Sequence, residues 1–119
     1  MKIIYIEPLK KPVVMDIPLD LDVMHSLVKG MIQAVYPWDD PLALVCNDNG
    51  IAEGLPLNRV VGYDIIHGPF FICGLGEEDF DSVPEDLVDK YISLFAAPEV
   101  FIPAPDGHLA VIKIMEKPL

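Results

Sequence analysis

The chain has 119 residues, of which 52% are apolar, and a formal net charge of −11 at pH 7. Eight basic residues against nineteen acidic ones disfavour direct binding to DNA, RNA or anionic membrane surfaces, because such binding depends on neutralising negative charge. No apolar run approaches the ~20 residues of a membrane-spanning helix, and the early charges do not fit a signal peptide, so a cytoplasmic protein is expected.

The N-terminal part predicts a strand pair followed by a short helix. Lys2–Glu7 and Pro12–Ile17 are strand-like runs separated by a short polar connection. Asp20 or Asp22 is placed to cap the helix by accepting amide hydrogens of its first turn, and Gly30 is a suitable stop. The predicted buried stripe of this helix consists of Leu21, Met24, Leu27 and Val28.

The middle of the chain predicts three more strands. In Met31–Tyr36, Ile32, Ala34 and Tyr36 alternate with Met31, Gln33 and Val35, which suits a strand, whereas Leu42–Cys46 is nearly all apolar and is expected at the centre of a sheet. Phe70–Cys73 is another apolar strand. Between them, Ile51–Arg59 is expected to be extended or irregular, and 60–66 to form a short strand or a single helical turn.

A second helix is predicted from about residue 84. Ser82 with Glu85 three residues later resembles a capping box, and Pro84 lies where its missing amide hydrogen costs nothing. Pro98 is expected to end this element. The predicted apolar face consists of Leu87, Val88, Tyr91, Ile92, Leu94 and Phe95.

The last segments, Val100–Ile102 and Leu109–Ile114, predict a hairpin around a Pro-Asp-Gly turn. Together these elements predict an α+β fold, a mainly antiparallel sheet with two helices packed on one face. No linker or repeat divides the chain, so residues 1–119 are expected to form a single domain.

The composition gives little support for metal or cofactor chemistry. Cys46 and Cys73 lie in apolar runs without zinc-type spacing, and free buried thiols fit a reducing compartment. The acid-rich segment 77–89 does not match a calcium loop and is interpreted as a solvated helix N-terminus. No metal, cofactor or catalytic residue is predicted.

Arg59, the only arginine, lies beside Asn58 in a Gly/Pro-rich connector. A guanidinium forks toward carboxylates, phosphates or backbone carbonyls. In a structural interpretation, Asn47 and Asn58 satisfy loop backbone groups and Arg59 pairs with Asp64 or with an acid near Glu77. In a functional interpretation, the same side chains line a polar notch for a small anionic ligand or an acidic side chain.

Two further side chains have competing interpretations. His67, close in sequence to Asp64, is either one half of a general-base pair or a turn-packing imidazole. Trp38, beside Tyr36 in a Pro/Asp-flanked loop, either anchors a partner or packs over the end of the sheet.

An ordered set of segments carries a resemblance. The segments are Gly30-Met31-Ile32-Gln33-Ala34-Val35, Leu44-Val45-Cys46-Asn47-Asp48-Asn49-Gly50, Gly54-Leu55-Pro56-Leu57-Asn58-Arg59 and Asp64-Ile65-Ile66-His67-Gly68-Pro69-Phe70-Phe71-Ile72. Over roughly residues 1–80 they resemble the bacterial domain-of-unknown-function 3846 family, which is typical of phages, plasmids and integrated elements. The resemblance implies a small intracellular protein of a mobile element and brings no established activity, substrate or catalytic residue.

Two functional hypotheses follow. The first is a non-enzymatic accessory protein that binds another protein, as a homo-oligomer. The mean hydropathy of +0.39 predicts either apolar surface that self-association covers or a generous core in a small domain. A special form of it is an acidic decoy that imitates DNA. The rival is a small-molecule binder or simple enzyme, which predicts convergence on one pocket of Asn47, Asn58, Arg59, Asp64 and His67.

Overall fold

The computed structural model of the chain describes residues 1–115 and confirms an α+β fold dominated by antiparallel strands. The main sheet has the spatial order β2 (Val13–Asp16), β1 (Lys2–Ile6), β7 (Phe70–Leu75), β4 (Leu42–Asn47), β3 (Ile32–Val35), and the short β8 (Phe80–Asp81) pairs with β7. Two separate hairpins are β5 (Leu57–Val61) with β6 (Asp64–His67), and β9 (Glu99–Pro103) with β10 (Leu109–Lys113). The helices are α1 (Leu21–Val28) and α2 (Glu85–Leu94).

The two helices cover opposite faces of the main sheet, so the prediction that both pack on one face is wrong. Successive side chains of a strand point to opposite faces, and Ile3 and Ile4 accordingly belong to different clusters. One cluster, on the α2 side, includes Ile4, Leu44, Ile72, Val88 and Tyr91. The other, on the α1 side, includes Ile3, Met24, Val28, Val45 and Phe71. The central strands β4 and β7 are buried because they carry apolar residues on both faces.

Helix α1 begins at its predicted cap. The carboxylate of Asp20 accepts a hydrogen bond from the Asp22 amide at 2.8 Å. The helix ends on Lys29, which has the left-handed conformation expected for Gly30. Gly30 instead leaves room for the side chain of Asn47, because a Cβ at position 30 would lie 2.6 Å from Asn47 Nδ2. Leu21, predicted in the buried stripe, is 54% exposed.

Helix α2 lacks the predicted capping box. Its N-cap is Pro84, and no side chain caps its first turn. Ser82 Oγ accepts instead from the Lys2 amide at 2.8 Å, and Glu85 forms an ion pair with Lys2 Nζ at 2.7 Å. The Ser/Glu pattern therefore joins the helix entrance to β1. Leu94, assigned to the apolar face, is 52% exposed.

Residues 57–67 form the β5–β6 hairpin, so of the alternatives for 60–66 the strand is correct and the helical turn is wrong. The chain reverses at Gly62, whose φ of 61° lies in the left-handed region that favours glycine. The pairing register shifts between Leu57 and Arg59, which is a β-bulge or a comparable irregularity. The predicted C-terminal hairpin is confirmed as β9–β10.

Both cysteines are free and buried, as predicted. Cys46 belongs to the α2-side cluster and Cys73 to the α1-side cluster, so the sheet itself separates the two thiols. Within residues 1–115, none of the helices is long and apolar enough to cross a membrane.

Candidate functional site

The guanidinium of Arg59 is completely buried and joins three segments of the chain. Nη1 donates to Asn58 Oδ1 at 2.8 Å, and Nη2 donates to the carbonyl oxygens of Lys10 at 2.7 Å and Phe95 at 3.1 Å. Nε has no partner among the described residues. Burial lowers the pKa of Arg59, and the negative charge of Glu99 opposes that shift.

Asn58 extends this network on its other side. Its Nδ2 donates to the carbonyl oxygens of Ile6 and Gly68, both at 2.9 Å. We use the term arginine node for Asn58, Arg59 and the backbone carbonyl groups that accept their hydrogen bonds, those of Ile6, Lys10, Gly68 and Phe95. The node holds the ends of β1, α2 and β6 together, because backbone carbonyls buried at those ends need donors.

The arginine node does not form the notch of the functional interpretation. Asn58 and Arg59 have no exposed surface, so neither side chain is available to a ligand in solution. The predicted pairing of Arg59 with Asp64 or an acid near Glu77 is also wrong. Within residues 1–115 no carboxylate lies within ion-pairing distance of the guanidinium, and its partners are an amide oxygen and backbone carbonyls.

A cleft of about 660 Å³ separates β3 and β4 from the β5–β6 hairpin. Three of the predicted site residues line it, Asn47, Asp64 and His67, together with apolar side chains such as Val35 and Cys46. We call it the histidine cleft. The cleft is also lined by Gln33, Asp48 and Asn49, which were not predicted as site residues.

One polar side chain of the histidine cleft, Asn47, is fully engaged in the fold. Asn47 Nδ2 donates to the carbonyls of Val28 and Lys29 at 3.2 Å, and its Oδ1 accepts from the Asn49 amide at 2.7 Å. The structural interpretation of Asn47 and Asn58 is thus confirmed.

The ring of His67 is not paired with Asp64. His67 Nδ1 lies 3.3 Å from the Leu55 carbonyl oxygen, which only accepts, so this nitrogen carries the proton in that bond. No hydrogen bond or ion pair joins His67 to Asp64 in the part of the chain that the structure describes. The general-base pair predicted as one alternative is therefore wrong.

Trp38 lies partly inside the core. Its ring packs edge-on against Tyr91, with centroids 4.8 Å apart, and against Phe95 at 6.0 Å. Nearby, Asp40 accepts from Tyr91 Oη and from Lys90 Nζ, both at 2.6 Å, which lowers the pKa of Asp40. The interpretation of Trp38 as a residue packed over the end of the sheet is supported by these contacts.

A second cleft, of about 550 Å³, lies between the C-terminal end of α2 and the two hairpins. Its lining includes Trp38, Val60, Leu94, Val111 and Lys113, and we call it the tryptophan cleft. Glu99 borders it and accepts from the Val60 amide at 3.1 Å, which attaches β9 to β5.

The β9–β10 hairpin exposes apolar side chains on both of its faces. Val111 and Lys113 face the tryptophan cleft, so Ala110 and Ile112 point the other way. Ile112 is 51% exposed, and Ile102, which is paired with Ala110, is 44% exposed. We call Val100, Ile102, Ala110 and Ile112 the outer face. The apolar run of β10 was visible in the sequence, but its exposure was not.

The acid-rich segment 77–89 forms no metal site. Among residues 1–115, no group of three or more His, Cys, Asp or Glu side chains is arranged to hold a metal ion. Asp79 and Asp81 instead accept from the amides of the residues that follow them, Phe80 and Ser82, at 2.7 Å.

Comparison with known proteins gives one match. The family model described as Domain of unknown function (DUF3846) matches residues 1–96. No curated protein and no solved structure matches the chain. The matched region contains the main sheet, both helices, the arginine node and the lining of the histidine cleft, and it ends before the β9–β10 hairpin.

Proposed function

The chain belongs to the family of the domain of unknown function DUF3846, and we propose that it is a non-enzymatic protein-binding module. Its contact surface is the outer face of the β9–β10 hairpin. The observation that supports this proposal best is the exposure of Ile102 and Ile112, diagonal neighbours on one face of a hairpin outside the main sheet. The protein acts in the cytoplasm, where buried free thiols persist, as an accessory of a mobile element in accordance with the family resemblance.

The outer face has the features of a protein contact. Ala110 is paired with Ile102 and Ile112 with Val100, so four apolar side chains form one continuous surface. Contiguous exposed apolar surface is typical of binding sites, and a two-stranded hairpin is marginally stable until something packs against it. Because the hairpin follows the family-matched region, it is suited to a contact that other members of the family need not share.

The distribution of acidic residues argues against the DNA-decoy form of this function. Acids occur on α1, at Asp22, and on α2, at Glu85, Asp86 and Asp89. These helices cover opposite faces of the sheet, whereas a decoy needs carboxylates spaced like phosphates on one face.

A photocrosslinking experiment tests the proposal. Benzoylphenylalanine is placed at Ile112 on the outer face and, as a matched control, at Met31, an equally apolar side chain that is 65% exposed beside the main sheet. In host lysate, position 112 is expected to yield an adduct with one distinct protein, identified by mass spectrometry, and position 31 none.

The adduct must also depend on the outer face. The substitution Ile102→Asp is expected to abolish crosslinking from position 112, because a carboxylate desolvated at an apolar contact is costly. Equal adducts from positions 112 and 31, or crosslinking only to further copies of the chain, would rule the proposal out.

A second candidate function concerns the histidine cleft. Its lining combines apolar Val35 and Cys46 with the carboxylates of Asp48 and Asp64, while the only arginine is buried elsewhere. The cleft therefore favours a small organic cation over the anion first considered. In a thermal-shift assay, phenethylamine should raise the melting temperature and benzoate should not. Asp64→Asn should remove that rise, and Asp89→Asn on α2 should keep it.

A further inference from the structure

Strand β10 has one edge that no strand among residues 1–115 occupies. The bonds at the two ends of the hairpin show which residues of β10 direct their N–H and C=O groups toward β9. The Ile114 amide donates to the Pro98 carbonyl at 2.8 Å, and the Ala104 amide donates to the His108 carbonyl at 2.7 Å.

These bonds fix which residues face the free edge. In an antiparallel pair, hydrogen-bonded and non-hydrogen-bonded positions alternate, so the even-numbered residues of β10 bond to β9. The N–H and C=O groups of Leu109, Val111 and Lys113 therefore point outward, and within residues 1–115 these three donors and three acceptors have no strand partner.

The terminal strands of the main sheet, β2 and β3, offer fewer free groups than β10. By the same alternation, β2 directs outward only the groups of Val14 and Asp16, and β3 only those of Ile32 and Ala34. Strand β2 is also flanked by Pro12 and Pro18, and prolines at an edge are a common protection against edge pairing. Strand β10 is flanked by His108 and Ile114 instead, and each of the two strands carries one charge, at its last residue.

The free edge of β10 is complementary to itself. Two copies that meet antiparallel about Val111 place Val111 opposite its counterpart and Leu109 opposite Lys113 of the second copy. All three are outward-facing positions, so each copy donates three hydrogen bonds and the pair forms six. In the same register, the small side chain of Ala110 lies opposite the bulky Ile112 of the second copy, which avoids overcrowding.

The charge of the molecule also favours this edge for a contact between copies. Residues 1–98 contain six of the eight basic and sixteen of the nineteen acidic residues, which leaves a formal charge of −10. Residues 99–115, which contain the β9–β10 hairpin, carry one basic and two acidic residues, a charge of −1. Two copies of so acidic a chain repel each other least where the hairpins meet.

From these observations we infer that two copies of the chain associate edge to edge through β10, forming one four-stranded antiparallel sheet of β9, β10 and their counterparts. The pairing uses backbone groups at the edge and leaves the outer face uncovered. It therefore does not depend on the proposed function, and it doubles the outer face that a partner would contact.

Two proline variants test the inference. Val111→Pro removes a donor that faces the free edge of β10 without removing a bond to β9. Val14→Pro is the matched control, since it removes an outward donor from β2, an edge strand of the main sheet. By sedimentation equilibrium, the wild type and Val14→Pro should be dimers. Val111→Pro should dissociate at least ~10-fold more readily, because both copies lose a bond.

Amide hydrogen exchange locates the contact. In the dimer, the Val111 amide should exchange more slowly as the protein concentration rises, whereas the Ile112 amide, already bonded to β9, should change less. Continued protection of Ile112 in Val111→Pro shows that the hairpin is still folded. A wild type that stays monomeric, or a dimer in which Val111 exchanges as in the monomer, would overturn the inference. Neither result bears on crosslinking of another protein from position 112.

Discussion

Asn58 and Arg59 are neighbours in β5, yet both side chains are buried, and the first accepts a 2.8 Å hydrogen bond from the second. Consecutive strand residues normally point to opposite faces, and the register shift between Leu57 and Arg59 lifts that constraint. The irregular pairing thus lets two polar side chains satisfy carbonyl groups from three segments of the chain. The family-matched domain is organised around this node rather than around an open polar site.

Arg59→Lys should destabilise the protein by about 2–4 kcal/mol. A single ammonium cannot reproduce the guanidinium fork, so either the buried Phe95 carbonyl or the partly buried Lys10 carbonyl loses its donor. The free energy of unfolding from urea titration measures the effect. Lys90→Met, which breaks an ion pair with Asp40 at the surface, is the control and should cost clearly less. A loss below ~1 kcal/mol for Arg59→Lys would contradict the structural role of the node.

Elements with a local signal could be predicted from the sequence. The apolar period of α1 and the Asp20 cap lie within one short segment, as do the Pro-Asp-Gly turn and the strands of the β9–β10 hairpin. The helix and the hairpin are each determined by residues close together in the sequence, so their secondary structure could be predicted without knowledge of tertiary contacts.

The roles of Ser82 and Arg59 could not be predicted, because each depends on contacts with residues far away in the sequence. Ser82 resembles a helix cap, but it bonds to the amide of Lys2, 80 residues away. Arg59 resembles a recognition residue, but its acceptors include Lys10 and Phe95, 49 and 36 residues away. A polar pair such as Asn58-Arg59 also interrupts the apolar pattern of a strand, which hid the β5–β6 hairpin.

Gly74→Ala should destabilise the protein by about 1–3 kcal/mol or more. A Cβ at this position would collide with the carbonyl oxygen of Ser82, which is backbone and cannot swing aside. Gly54→Ala is the matched control, because a Cβ there meets nothing within 4 Å and only the positive φ of 69° opposes it, costing about 1 kcal/mol. Thermal unfolding of both variants measures the difference, and equal losses would argue against close packing of Gly74 on Ser82.

Trp38→Ala should cost about 2–4 kcal/mol of stability, since it removes the edge-on contacts with Tyr91 and Phe95 and leaves a void beside the α2-side cluster. Trp38→Phe should recover part of this loss by keeping an aromatic ring. The midpoint of urea unfolding is the measurement. If Trp38→Ala left stability unchanged but weakened crosslinking from position 112, Trp38 would be a partner anchor after all.

Alkaline pH should destabilise the protein through Cys73. Burial raises the pKa of this thiol from an ordinary value of 9.0 to about 12, and the negative charge of Asp79 adds to the effect. Between those values the unfolded chain has released the proton and the folded chain still holds it. Stability is therefore complete below pH 9 and falls as pH rises toward 12, by at most ~1.4 kcal/mol per pH unit from this group. Cys73→Ala should make the dependence of the unfolding free energy on pH shallower above pH 9, whatever its effect at pH 7. An unchanged slope in the variant would show that the thiol does not govern alkaline unfolding.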